Sequence, residues 1–139
     1  MKFRYVKIPT GDPKRKWISR PMLPLVIHYG THSTAVSALI DSGADRSLFH
    51  ASIADEIGIP REAGEKETFS GIEGGEIPAR LHKVKIEIMG MEGRAEIIVG
   101  LVDAPGVSAI LGQDGFFDQY RIKFEKDRDA FEVTPVRKG

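Results

Sequence analysis

A carboxylate at the end of an apolar run is the residue of this sequence best placed for chemistry. Residues 38–44 read Ala-Leu-Ile-Asp-Ser-Gly-Ala, so a strand with buried side chains stops at Asp41. A carboxylate there can exchange a proton with a bound molecule, which is general acid–base chemistry. Ser42 offers a hydroxyl that can fix a neighbouring strand, and Gly43 offers a backbone N–H to a carboxylate oxygen. Asp, Ser and Gly are also common turn formers, so a plain strand-to-turn junction explains these residues equally well.

Two later segments of the sequence help to decide between these two interpretations of the loop. Residues 69–77 read Phe-Ser-Gly-Ile-Glu-Gly-Gly-Glu-Ile, a glycine-rich tip between strand-like sequences. Residues 108–117 read Ser-Ala-Ile-Leu-Gly-Gln-Asp-Gly-Phe-Phe, an apolar stretch closed by glycine and polar residues. The order of an Asp-Ser-Gly-Ala loop, a glycine-tipped hairpin and an apolar pair followed by glycine is typical of retroviral-type aspartic proteases. Over residues 20–135 the chain therefore resembles the retropepsin-like protease family. This resemblance implies that the chain is an aspartic endopeptidase.

The resemblance implies peptide-bond hydrolysis by carboxylates alone. One carboxylate accepts a proton from the attacking water, while a second, protonated one polarises the carbonyl of the substrate. The chain has a single Asp-[Ser/Thr]-Gly, so the second carboxylate is expected from Asp41 of another copy on the axis of a two-fold homodimer. The implied ligand is a peptide or protein substrate. No cofactor is implied, and the four histidines lack the spacing of a metal site.

The site residues of the family carry over to this chain position by position. Asp41 is the implied catalytic residue, with Ser42 and Gly112 as supporting residues. The resemblance places the substrate-binding residues in the active-site loop, in a hairpin that closes over the substrate as a flap, and in the apolar strand that lines the pocket. These residues are Gly43, Ala44, Asp45, Ser70, Gly71, Ile72 and Ile110.

Two positions depart from the retroviral pattern. Retroviral enzymes have an arginine that pairs with the second acid and helps to hold the dimer, whereas this chain has Gln113. A neutral amide such as that of Gln113 can still hydrogen-bond Asp45, but it cannot neutralise the charge of Asp45. Glu73 adds a residue and a charge at the flap tip. A non-catalytic relative that binds a peptide by strand addition, or that serves only to dimerise, is therefore the alternative.

The elements that position these residues are predicted to be mostly strands. Apolar and β-branched runs at residues 22–29 and 34–40 predict a hairpin that leads into Asp41. Further strands are expected at residues 84–88 with one buried face, at 95–102 with both faces buried, and as a pair at 121–124 and 131–133. Short strands separated by turns predict a mainly β fold, a small closed or nearly closed barrel.

One or two short helices complete the predicted fold. Residues 52–60 have a Ser-x-x-Asp start at Ser52, Gly58 just past the end and a proline beyond it. Residues 113–120 are the second candidate helix. A helix after the active-site loop is a feature of the cellular and bacterial relatives rather than of the retroviral enzymes. The resemblance is therefore nearer to the cellular and bacterial branch.

Length, composition and charge limit the number of domains, the partners and the location that we expect for this protein. With 139 residues and 41% hydrophobic content, we expect a single domain at residues 21–139, preceded by an irregular N-terminal arm at residues 1–20. Its expected anchors are Phe3, Tyr5 and Trp17. Twenty basic and twenty acidic residues cancel, which argues against nucleic-acid and membrane partners. The sequence has no cysteine, no signal-peptide pattern and no membrane-length apolar run, so the expected location is cytoplasmic.

Overall fold

Strands dominate the computed structural model, which describes residues 1–70 and 75–136. The strands are β1 (Lys2–Arg4), β2 (Val6–Asp12), β3 (Arg15–Arg20), β4 (Met22–Tyr29), β5 (His32–Ile40), β6 (Ser47–His50), β7 (Glu65–Ser70), β8 (Glu76–Ile88), β9 (Ala95–Val102), β10 (Ala109–Leu111), β11 (Tyr120–Glu125) and β12 (Ala130–Pro135). Among these residues there is one α-helix, α1 (Ala51–Ile57), and one 3-10 turn at Lys126–Arg128. Neither element in that part of the chain has the length and apolar composition of a membrane span.

Six of the strands close into a barrel. Backbone hydrogen bonds join them in the order β4, β5, β10, β6, β9 and β8, and β8 pairs back with β4. The remaining strand of this sheet, β7, forms a hairpin with the first half of the long strand β8. The predicted mainly β fold and closed barrel are therefore confirmed. The predicted hairpin leading into Asp41 is confirmed as β4 and β5, which turn at Gly30 and Thr31.

Apolar side chains that alternate along the barrel strands fill its core. The alternation predicted for residues 84–88 is confirmed, because the valine and isoleucines of this segment are buried. The prediction that β9 is buried on both faces is wrong for its first half, where Ile98 is 44% exposed. The second half is continuously buried. There Leu48 and Phe69 lie so close to Gly100 that an added Cβ would be 2.9 Å and 3.4 Å from their side chains.

Helix α1 follows β6 as predicted, but it begins one residue before Ser52. The N-cap is His50, whose imidazole Nδ1 accepts a hydrogen bond from the Ser52 backbone N–H at 3.1 Å. The Ser52 hydroxyl lies 2.8 Å from the same nitrogen and does not form a cap of its own. At the other end Gly58 has φ 78°, and its N–H donates to the Ala54 carbonyl. Glycine adopts this left-handed conformation at low cost, so the predicted glycine stop is confirmed.

Residues 1–20 form strands, which corrects the predicted irregular arm. Strand β1 pairs with β12, and Phe3 stacks on Phe131 with 5.5 Å between ring centroids. Tyr5 packs edge-on against the same ring, so two of the three expected anchors do pack on the core. The third, Trp17, is 56% exposed. It lies in the hairpin of β2 and β3, which pairs with no other strand of the described residues.

The second candidate helix, at residues 113–120, is wrong. These residues form turns between β10 and β11, in which the Gln119 and Tyr120 N–H groups both donate to the Phe116 carbonyl at 3.0 Å. Gly115 has φ 91°, which lies outside the right-handed helical region and interrupts a helix. The turn places Phe116 fully in the core. The predicted pairing of the last two strands is confirmed.

Candidate active site

Strand β10 fixes the point at which the active-site loop leaves the barrel. The loop, residues 41–45, begins where β5 ends, and the Asp41 backbone N–H donates to the Leu111 carbonyl at 2.9 Å. This bond continues the parallel pairing of β5 with β10, in which Ile110 lies opposite Leu39. Ile110, a predicted pocket residue, therefore lies on the strand next to the predicted catalytic residue, with its side chain partly exposed.

The Asp41 carboxylate is oriented by its own loop. The Gly43 backbone N–H donates to Asp41 Oδ1 at 2.9 Å, and the Ala44 N–H donates to the Asp41 carbonyl at 3.2 Å. Asp41 and Ala44 are partly buried, while Ser42, Gly43 and Asp45 are exposed. No hydrogen bond from the described residues reaches the second carboxylate oxygen. The loop thus presents one oriented carboxylate at the surface of a single chain.

The segment after β10 runs along the active-site loop and holds it by backbone hydrogen bonds. The Gln113 N–H donates to the Ala44 carbonyl at 2.8 Å, and the Asp114 N–H donates to the Asp45 carbonyl at 2.9 Å. Each bond joins two residues that are far apart in sequence. The loop conformation therefore depends on the barrel and not only on the local turn residues.

Ser47 joins the same two segments through its side chain. Its hydroxyl accepts a hydrogen bond from the Gly112 N–H at 3.1 Å and donates to the Asp114 carbonyl at 3.2 Å. Ser47 is fully buried, and an unpaired hydroxyl there would be costly. No sequence motif identifies Ser47 as a residue of the site. Its only sequence signal is a hydroxyl between the charged loop and the apolar residues of β6.

Among the described residues, the Gln113 side chain forms no hydrogen bond with the Asp45 carboxylate. The Gln113 side-chain amide Nε2 instead donates to the Ser42 carbonyl at 2.8 Å. The backbone bond from Gln113 to Ala44 holds this residue beneath the loop, and from there its side chain reaches back to the start of the loop. Asp45 forms no ion pair with the described residues and is exposed. Its carboxylate is available to a ligand or to a second chain.

An ion pair that the sequence analysis did not find connects the active-site loop to the β7–β8 hairpin. Arg46 contacts Glu67 of β7 through two nitrogens, with distances of 3.1 Å and 2.8 Å from Nη2 to the two carboxylate oxygens. The Asp114 carboxylate lies 4.0 Å from the same guanidinium. Arginine and carboxylate side chains that meet in this way are held in a defined relative orientation. The base of the hairpin is therefore tied directly to the loop that carries Asp41.

Three of the predicted substrate-binding residues, Ser70, Gly71 and Ile72, come at the end of β7 or directly after it in the sequence. Ser70 is the last residue of β7, and its backbone pairs with Glu76. Gly71 and Ile72, together with Glu73, lie outside the described residues. The hairpin itself is present where the resemblance placed it in the chain, between the active-site loop and the apolar strand β10.

Comparisons with known proteins agree with this arrangement. Residues 27–114 match a family model described as aspartyl protease, and this span covers more than half of the chain. The chain belongs to this aspartyl protease family. The matched span contains the Asp41 loop, the β7–β8 hairpin and β10. A search of curated proteins found no significant match.

Solved structures related to this aspartyl protease family member include a viral and a bacterial protein. EIAV protease complexed with the inhibitor HBY-793 is 26% identical, with a TM-score of 0.51 over 71% of this chain and 86% of that chain. A retropepsin-like aspartic protease from Rickettsia conorii gives a TM-score of 0.62 over 94% of this chain and 98% of that chain. The bacterial protein is 13% identical, so this match shows the fold alone. The resemblance to retropepsin-like proteases is confirmed.

Gly112 should tolerate an added side chain poorly in this aspartyl protease family member. A Cβ at this position would lie 2.5 Å from the Arg46 carbonyl oxygen and 2.6 Å from the Ala44 carbonyl oxygen, both of which are backbone atoms. We expect Gly112→Ala to lower the free energy of unfolding by about 3 kcal/mol, because the active-site loop must move away. Urea unfolding of the purified variants measures this change.

Gly75→Ala is the matched control, because an added Cβ at this exposed residue meets no atom within 4 Å. We expect the free energy of unfolding of this variant to differ from that of the unmodified protein by about 0.5 kcal/mol at most. Equal unfolding midpoints for the two variants would contradict the steric argument.

Proposed function

We propose that the chain is an aspartic endopeptidase that hydrolyses peptide bonds as a homodimer, with one Asp41 from each copy. The observation that carries the proposal is the oriented carboxylate of Asp41 at the chain surface, in a family of aspartyl proteases and with a single Asp-Ser-Gly in the sequence. A single carboxylate cannot act as proton acceptor and proton donor at the same moment. A two-fold axis through this loop supplies the second carboxylate without any further residue type.

In the proposed mechanism the two Asp41 side chains share one proton. The ionised carboxylate accepts a proton from water as the water attacks the peptide carbonyl, and the protonated one donates to the carbonyl oxygen. The hydrogen bond from the Gly43 N–H stabilises negative charge on Oδ1 and fixes the plane of the carboxylate. The backbone bonds of Asp41 to β10 and of Ala44 to Gln113 limit rotation of the loop. The reaction needs no metal or organic cofactor.

The substrate in this proposal is an extended peptide that lies between the active-site loop and the β7–β8 hairpin. Gly43, Ala44 and Asp45 contact it from the loop, and Ile110 contributes an apolar wall. Ser70, Gly71 and Ile72 contact it from the hairpin, which closes as a flap. The ion pair of Arg46 and Glu67 holds the base of this flap at a fixed distance from the loop.

A non-catalytic role in peptide binding or dimerisation is the second candidate function. Gln113 favours it, because its amide bonds to the Ser42 carbonyl and supplies no positive charge to Asp45. Without that charge, the proposed dimer has one fewer contact to set its geometry. Turnover of a peptide substrate distinguishes the two candidates, since both predict binding of an extended peptide.

The rate of cleavage should depend on pH as a bell on the acid side of neutrality. The working state of two adjacent carboxylates holds one proton, so activity is lost at low pH when both are protonated and at higher pH when both are ionised. Cleavage of a peptide library by purified protein, followed by mass spectrometry from pH 3 to pH 9, measures the profile. A pepstatin-type inhibitor, whose hydroxyl fits between two carboxylates, should abolish cleavage, and EDTA should leave it unchanged. Activity that EDTA removes, or that still rises at pH 9, would contradict the mechanism.

A further inference from the structure

The N-terminal twenty residues carry a charge opposite to that of the rest of the chain. They contain seven basic residues and one acidic residue, a net charge of +6. Because the whole chain is neutral, residues 21–139 carry a net charge of −6. Five of the seven cations lie on the β2–β3 hairpin and its turn, and they are Lys7, Lys14, Arg15, Lys16 and Arg20. The neutral chain therefore consists of a basic N-terminal segment and an acidic remainder, residues 21–139, which we call the body.

Within these twenty residues β1 pairs with β12, so the arm that is separate from the barrel is the β2–β3 hairpin, residues 6–20. Among the residues that the structure describes, β2 and β3 pair with each other and with no other strand. No ion pair among the described residues joins these cations to the acidic body. Trp17 is 56% exposed and Val6 is 43% exposed. An isolated two-stranded hairpin is at best marginally stable in water, so this one lacks the packing that would hold it in place.

We propose that the arm of one copy docks on the acidic body of a second copy of the same chain. Charge favours a second copy as the partner, because the rest of the chain carries a net charge opposite to that of the arm. Two-fold symmetry then allows both arms to dock in the same way, each on the body of the other copy. Tryptophan and arginine are the residues that most often anchor protein interfaces, and Trp17 stands two residues from Arg15. The inference rests on the proposed homodimer and identifies the arm as one of the elements that hold it.

The test compares the dimer dissociation constants of full-length variants by sedimentation equilibrium. One variant combines Lys14→Ala, Arg15→Ala and Lys16→Ala, and a second carries Trp17→Ser alone. The matched control is Lys123→Ala with Lys126→Ala and Arg128→Ala, which removes the same charge from exposed residues of the body. We expect each arm variant to weaken dimerisation about tenfold or more and the control to stay within about twofold. Raising salt from about 50 mM to about 500 mM should weaken the unmodified dimer more than the triple arm variant.

Each result decides the proposal. Arm variants that dimerise as tightly as the unmodified protein would overturn it. So would binding of a 20-nucleotide single-stranded DNA or of phosphatidylserine vesicles that the arm variants lose while dimerisation is unchanged, because the arm would then serve a different partner. At concentrations at which all chains are monomeric, thermal unfolding should be unaffected by the arm variants, since the hairpin lies outside the barrel. The cleavage assay is independent, because an unchanged dimer that still cleaves peptides would overturn the docking of the arm and leave the proposed protease function standing.

Discussion

Replacement of Asp41 by Asn should lower the rate of peptide cleavage by about 10³-fold or more while the chain still folds and dimerises. Asparagine has nearly the same shape as aspartate, and its side-chain oxygen can still accept the hydrogen bond from the Gly43 N–H that is 2.9 Å long in the unmodified protein. The amide cannot accept a proton from water or give one to the carbonyl of the substrate. Asp41→Asn should therefore lower turnover and leave stability unchanged. Asp41→Ala would separate these two effects less clearly, because it also removes the hydrogen bond from the Gly43 N–H.

The control for Asp41→Asn is the same substitution at an exposed aspartate far along the chain. Asp127 lies in the 3-10 turn between β11 and β12 and is exposed. Asp127→Asn should keep the full cleavage rate, and both variants should unfold at the temperature of the unmodified protein. Cleavage by purified Asp41→Asn protein at the unmodified rate would exclude this residue from the chemistry. Loss of cleavage together with loss of the folded state would assign Asp41 a structural role instead.

The fold could be predicted from the sequence where periodicity alone decides the structure. The alternating apolar residues of β8 and the hairpin of β4 and β5 depend on local pattern, and both are confirmed. The prediction failed where a distant contact decides the conformation. A short helix is expected at residues 113–120, but the left-handed Gly115 and the burial of Phe116 against the barrel produce turns. Residues 1–20 look irregular because their strands have little apolar alternation, yet β1 is ordered by pairing with β12 at the far end of the chain.

In the candidate site, too, the features set by local sequence could be predicted and those set by distant contacts could not. The Asp-Ser-Gly-Ala loop is contiguous in sequence, so its residue types could be read directly. Ser47 could not be assigned, because its two hydrogen-bond partners lie more than sixty residues away. Neither could the ion pair of Arg46 and Glu67, which are twenty-one residues apart and meet only when β7 folds back beside the loop. The partner of the Gln113 side chain could not be predicted either, because the backbone bond that orients this side chain is itself a product of the fold.

Cleavage activity per mole of protein should fall steeply on dilution below the dimer dissociation constant. Each chain has one Asp-Ser-Gly, and its Asp41 carboxylate lies at the surface with one oriented oxygen, so a monomer holds half of the proposed pair. Activity then follows the concentration of dimer, which is proportional to the square of the monomer concentration when most chains are separate. Measuring initial rates over about a thousandfold range of concentration, alongside sedimentation of the same samples, relates rate to assembly state.

Mixing with the inactive variant gives the same information at constant total concentration. Excess Asp41→Asn chains capture unmodified chains in mixed dimers that hold only one ionisable Asp41. With nine variant chains for each unmodified chain, activity per unmodified chain should fall about tenfold, because only about one in ten finds an unmodified partner. The Asp127→Asn chain, added in the same excess, should not lower activity, because its mixed dimers keep both Asp41 carboxylates. Constant activity per mole on dilution, in a species that sediments as a monomer, would exclude a site shared between two chains.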